Sequence, residues 1–175
     1  MPEYYVSFVK EYLELQGFVV RTETKYPMKE QDRRGIVRTS GGDLDILACK
    51  IKDNKIDELI VGEVKAESQT KNEVQKIDQN KFENPHIKQK LMDLFGSTNY
   101  KKCLYCWSWQ SKTREFAQKL GITPISFGEM VNYMLKSVKE HKGWLYLQDY
   151  PNLMLLQFLQ TKYNIEKNEV IEDLV

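Results

Sequence analysis

Two short stretches set charged side chains inside apolar, β-branched runs: Gly41-Gly42-Asp43-Leu44-Asp45-Ile46-Leu47 and Leu59-Ile60-Val61-Gly62-Glu63-Val64-Lys65. Burial ordinarily forbids such charges unless they are paired or hold a cation. Two carboxylates brought close resist joint ionisation until a cation sits between them. Hard oxygen ligands with open water positions suit Mg²⁺, and the backbone carbonyl of Val64 could complete the shell. Such an ion acidifies a bound water and offsets charge on a phosphodiester oxygen. Lys65, beside two carboxylates, is expected to stay protonated. Its role would be to orient the attacking water and stabilise the transition state, not to act as the main base. The expected chemistry is metal-assisted hydrolysis of a phosphodiester.

The elements around these residues decide whether they can meet. Glu63 and Lys65 are two apart, so on a strand they share a face, whereas on a helix they would diverge. The β-branched neighbours choose the strand. The same alternation puts Asp43 and Asp45 on one face of the preceding strand, and spacing alone allows either to approach Glu63. A lone Glu-x-Lys on a strand is commonplace as a solvated pair. Here an apolar run leads into the charges, Gly62 permits close backbone approach, and the upstream strand carries its own acids.

Periodicity supplies the rest of the scaffold. Tyr5, Phe8, Val9, Tyr12 and Leu13 predict an amphipathic helix over about 3–16, ended by Gly17. Strands are predicted at 18–24, 43–50, 59–66, 102–109 and 123–127, with residues 25–42 as a long polar loop. Helices are expected over 71–95, interrupted near Asn84-Pro85, over 112–120, and from Glu129 to about His141. Asn152 to Tyr163 reads as a helix apolar around most of its girth, covered by the core or by a second subunit. This is one α/β domain, 1–175: a core of about 3–127, a C-terminal helical extension of about 129–165, and an acidic tail at 166–175.

Bulk composition narrows the function classes. Lys and Arg number 26 against 25 Asp and Glu, so net charge makes no case for nucleic-acid binding and only local patches could. Basic residues gather at 21–42, including Arg33 and Arg34, and along the helical stretch 71–102. No apolar run approaches a membrane span and the N-terminus is no signal peptide, so a cytoplasmic protein is expected. Cys103 and Cys106 fall on a strand, where i and i+3 point to opposite faces, so they read as small core residues rather than half a zinc site. Trp107 and Trp109 alternate on the same strand, and core packing is favoured over base stacking.

Asp45-Ile46-Leu47 followed by Glu63-Val64-Lys65 resembles the PD-(D/E)xK signature of the restriction-endonuclease-like superfamily, with Leu44 where its eponymous proline would stand. The order helix, strand, acidic strand, E-x-K strand, helix, strand resembles that core, nearest its archaeal Holliday-junction-resolvase and Mrr-type branches. The resemblance implies a central mixed sheet of about five strands flanked by helices. It implies Asp45 and Glu63 as metal ligands, with Val64 contributing its carbonyl, and Lys65 as the catalytic lysine. Resolvase-like members add an acid on the first helix; among Glu3, Glu11 and Glu14 the choice falls on Glu3, although a spacing count from Gly17 points near Val6. A Gln of the following helix is another feature, and Gln79, beside Gln75, is placed to contact substrate with Arg33 and Arg34. The implied protein is a homodimeric, Mg²⁺-dependent DNA endonuclease in which Mn²⁺ substitutes. The alternatives are a four-way-junction resolvase and a catalytically weak DNA-binding module on the same fold.

Overall fold

The computed structural model describes residues 3–31, 37–140 and 150–156, with side chains for 3–26, 42–137 and 150–156. Five strands, β1 (Val19–Gln31), β2 (Val37–Lys52), β3 (Lys55–Val64), β4 (Lys101–Cys106) and β5 (Ile122–Ser126), form one sheet in the order β1-β2-β3-β4-β5. β1, β2 and β3 run antiparallel, whereas β3, β4 and β5 run parallel. The change of sense follows from the connections. β2 and β3 are joined by Asp53-Asn54, both at positive φ, a two-residue turn that suits the twist of a hairpin. The parallel steps need crossovers. The first contains α2 (Lys71–Ile77), a π-helical turn (Asp78–Phe82) and α3 (Pro85–Phe95); the second contains α4 (Ser111–Lys119).

Helices cover both faces of the sheet, which fixes the core. Leu47, Cys49, Leu59, Val61, Leu104 and Cys106 face Val74, Phe82, Ile87, Leu91 and Ala117 of the crossover helices. Ile46, Ala48, Ile60, Val64, Cys103 and Tyr105 face α1 (Glu3–Leu15) and α5 (Phe127–Glu140). The α/β class and the flanked mixed five-stranded sheet therefore stand. Cys103 and Cys106 are buried free thiols in opposite clusters, as period 2 requires.

Three expectations change. Residues 25–31 and 37–42 are not a loop: β1 and β2 continue as an antiparallel ribbon whose register runs to Gln31 opposite Val37. Pro27 and Gly42 are of residue types that favour loops, yet both suit this place. Pro27 lies on the edge strand, where a missing N–H is tolerated. Gly42 lies under the Tyr26 phenol, which occupies the space a Cβ would need. Secondly, β4 ends at Cys106, so Trp107 is not core; it stands 46% exposed and stacks on Phe127. Thirdly, part of the positive charge of 71–102 is matched by acids: Lys88 pairs with Glu83, Lys101 with Glu58, and Lys102 with Asp78 and Glu83.

Gly62 is the tightest point of the sheet. A Cβ there would stand 2.9 Å from Ile46 Cβ and 2.9 Å from the ring of Tyr105. Both neighbours are fully buried and cannot swing aside. Gly62→Ala is expected to cost about 1–3 kcal/mol, the usual penalty of overpacking. Equilibrium urea unfolding measures it, and an unchanged midpoint would mean that the sheet relaxes freely there.

Candidate active site

Glu63 is the last residue but one of β3, on the face carrying Leu59 and Val61. Its carboxyl is buried, 3% exposed, a position the apolar strand imposes. The antiparallel register that pairs Ile46 with Gly62 brings Asp45 next to Glu63. There the ladder stops. The following β3 N–H, that of Val64, donates instead to Asp45 Oδ2 at 2.9 Å. The Asp45 side chain thus replaces a strand partner just where β2 leaves β3. On the other side of β2, Glu23 adopts φ 51 and the Glu23–Asp45 pair is missing from an otherwise continuous register. A kink at this point frees Asp45 to turn toward β3.

Lys65 follows directly. Its ammonium donates to Glu63 Oε1 at 2.7 Å, while its backbone N–H donates to the Tyr105 carbonyl at 2.8 Å, extending the β3–β4 pairing. One third of the Lys65 side chain is exposed, against 4% for Glu63. Glu63 Oε2 has no hydrogen-bond partner. Lys81 lies 3.7 Å from it, an ion-pair distance. Burial, and then the Asp45 charge, push the Glu63 carboxyl above the usual carboxylate range, against the opposing pull of Lys65 and Lys81.

Sequence reasoning missed Lys81 as a site residue. It comes from the π-helical turn, and its ammonium donates to the Asp43 carbonyl at 2.7 Å and to Asp43 Oδ1 at 3.3 Å. Burial pulls this lysine down, but Glu63, Tyr26 and Asp43 outweigh it and hold its affinity for the proton above the ordinary value. Tyr26 was missed as well: its buried phenol lies close enough for Lys81, Glu63 and Asp43 to shift its titration, which burial raises on balance.

The remaining expected residues are placed as follows. Glu3 opens α1, exposed, with no contact to this cluster among the described residues. Glu14 is half-buried and pairs with Lys10. Glu11 is buried, but its carboxylate accepts hydrogen bonds from Asn152 and Leu153. Gln79 is exposed on the π-helical turn, and Gln75 is exposed on α2. Arg33 and Arg34 lie outside the described residues.

Among the described residues no group of three or more His, Cys, Asp or Glu side chains is placed to hold a metal ion. Mg²⁺ does not need one, since it is commonly held by one or two carboxylates and keeps several waters. The buried Glu63 Oε2, without a hydrogen-bond partner but 3.7 Å from the Lys81 ammonium, is the atom such an ion would satisfy, and the donor set of hard oxygens suits it.

No protein-family model matches the chain, and no curated protein matches it. Among solved structures, a crystal structure of a protein of unknown function, AF1548, matches with a TM-score of 0.42 and 12% identity, over 82% of this chain and 73% of that one.

Proposed function

We propose that this chain is a Mg²⁺-dependent endonuclease of the restriction-endonuclease-like kind, hydrolysing phosphodiester bonds of DNA. The observation that supports it best is the buried Glu63 carboxylate, adjacent to Asp45, held by Lys65 on one oxygen and lacking a hydrogen-bond partner on the other. Asp45 and Glu63 would hold the ion with the Val64 carbonyl. Bound there, Mg²⁺ would supply an acidified water and offset charge on the phosphodiester. Lys65 orients the attacking water and donates to the charge that develops on the phosphoryl oxygens. Glu63 fixes the Lys65 ammonium for that task through the 2.7 Å bond.

A homodimer is part of the proposal. Met154 and Leu155 are about half exposed on a helical segment whose Leu153 is buried, which supports a second apolar contact there.

Nicking of supercoiled plasmid and of a four-way junction, with Mg²⁺ and with chelator, tests the function. Cleavage is expected with Mg²⁺ or Mn²⁺ and lost in Asp45→Asn. Paired, symmetric cuts confined to the junction would favour the resolvase. DNA binding without cleavage at any divalent metal would favour the binding module. Cleavage unaffected by chelator would overturn the mechanism.

A further inference from the structure

Asp45 has a strand partner on neither side of β2, although Ile46 and Leu44 next to it stay paired to Thr22 and Thr24 of β1. Beyond Ile46 the ladder to β3 has ended, and at Asp45 the pairing to β1 is broken by the Glu23 kink. Val64 N–H holds the carboxylate from β3, and the pairing to β1 resumes at Leu44 and Asp43. The bond from Lys81 to the Asp43 carbonyl adds a tertiary tie where the ladder to β3 has ended. It joins residues 38 apart in sequence, and it reaches the backbone as well as the exposed Asp43 carboxylate.

The position of Lys81 is itself built. The capping box of Thr70 and Glu73 sets the start of α2. A π-helical turn follows, closed by the Glu83 N–H donating to the Asp78 carbonyl. The inserted residue of such a turn shifts the phase of every side chain after it, and π turns recur at functional sites. The turn is anchored by fully buried Phe82, whose carbonyl accepts the Tyr100 hydroxyl, and by Lys102 on Asp78. Asn84 then accepts from the His86 N–H to begin α3.

We propose that Lys81 is a positioning residue of the metal site: by pinning Asp43 it holds the Asp45 carboxylate beside Glu63. The inference rests on the endonuclease reading for the identity of the metal site. Two opposite effects compete when the lysine is removed. A lost cation next to carboxylates would tighten divalent-metal binding, whereas a lost anchor would loosen it by misplacing a ligand. The sign of the change therefore separates positioning from simple charge neutralisation.

The test is titration of Mn²⁺ followed by electron paramagnetic resonance, on the intact wild-type chain and on Lys81→Met, Lys81→Arg and Glu63→Gln. Lys81→Met is expected to weaken Mn²⁺ at least about tenfold, the loss typical of groups that orient ligands. Its melting temperature should stay near wild type, and Lys81→Arg, which can still reach a carbonyl, should recover part of the affinity. Plasmid nicking by Lys81→Met should be restored in part by raising Mn²⁺. Unchanged or tighter Mn²⁺ binding in Lys81→Met, with Glu63→Gln impaired, would overturn the positioning role alone. A wild-type chain that binds no Mn²⁺, or binds it as well after Glu63→Gln, would overturn the metal-site reading and this inference with it.

Discussion

Glu63→Gln is expected to lower Mg²⁺-dependent nicking at least about a hundredfold, since even the partners that merely orient ligands are worth ten- to a hundredfold. The same change should leave the chelated protein at least as stable as wild type at neutral pH. Glu63 is buried to 3% exposure, and burial together with Asp45 raises its carboxyl above the ordinary carboxylate range. For a group whose folded value is raised, the stabilising contribution is full below the unfolded value and is lost as pH rises through the folded one. As pH rises above the ordinary carboxylate range, folding therefore disfavours the ionised wild-type carboxyl increasingly. Glutamine keeps the shape, removes that cost and still offers an acceptor to Lys65. Thermal unfolding in chelator should show the variant at or above wild type at pH 8, with the wild type catching up as pH falls toward 4. Added Mg²⁺ should reverse the order, because an ion bound only to the folded state stabilises by mass action. Nicking at the wild-type rate would remove Glu63 from the chemistry. A variant much less stable than wild type in chelator would mean that its pairing with the two lysines outweighs its burial.

That pairing was only half legible in the sequence. The two-residue step from Glu63 to Lys65 is short-range information: a strand fixes both on one face, and the 2.7 Å bond follows. The helices were legible for the same reason, because 3.6-residue periodicity and stop signals such as Gly17 and Gly121, both at positive φ, are local. Asp43 and Asp45 were placed on one face by the same alternation, yet they meet different partners: Val64 N–H for Asp45, Lys81 for Asp43. A kink at Glu23, a residue of the neighbouring strand, separates them, and nothing in the Asp43–Asp45 stretch encodes it.

Lys81 and the β1–β2 ribbon failed to show for two further reasons. A period of 3.6 carried through α2 assigns the wrong side-chain phase after a π-helical turn, so the lysine counted only as one of several basic residues. In the ribbon, Pro27, Gly41 and Gly42 broke the alternation that announces a strand. An edge strand needs no N–H on its outer side, and Gly42 makes room for the buried Tyr26 ring. Turn residues and close-approach residues are the same residue types, and only the tertiary partner tells them apart.

Glu11→Ala carries the second large expected effect, and it bears on the acid sought on the first helix. Glu11 is 3% exposed, and its two oxygens accept from the backbone N–H of Asn152 at 3.3 Å, the Asn152 side-chain amide at 2.7 Å and the Leu153 N–H at 3.1 Å. These N–H groups belong to the first turn of the helical segment at 151–156, where no intrahelical acceptor exists and negative charge is favoured. Leu153 is fully buried against Met134, with Phe8, Tyr12 and Leu15 around it. Removing the carboxylate strands three donors at the edge of that cluster, two of them backbone N–H groups, at a cost of about 2–4 kcal/mol. Urea unfolding should show this loss, and amide exchange should speed most at Asn152 and Leu153. Glu11→Gln keeps one acceptor oxygen and should lose less. Well below the melting temperature, Mg²⁺-dependent nicking by Glu11→Ala should persist, because this carboxylate is spent on the C-terminal segment 141 residues away. Nicking lost with stability unchanged would reverse the assignment and make Glu11, rather than Glu3, the acid that the first helix contributes to the chemistry.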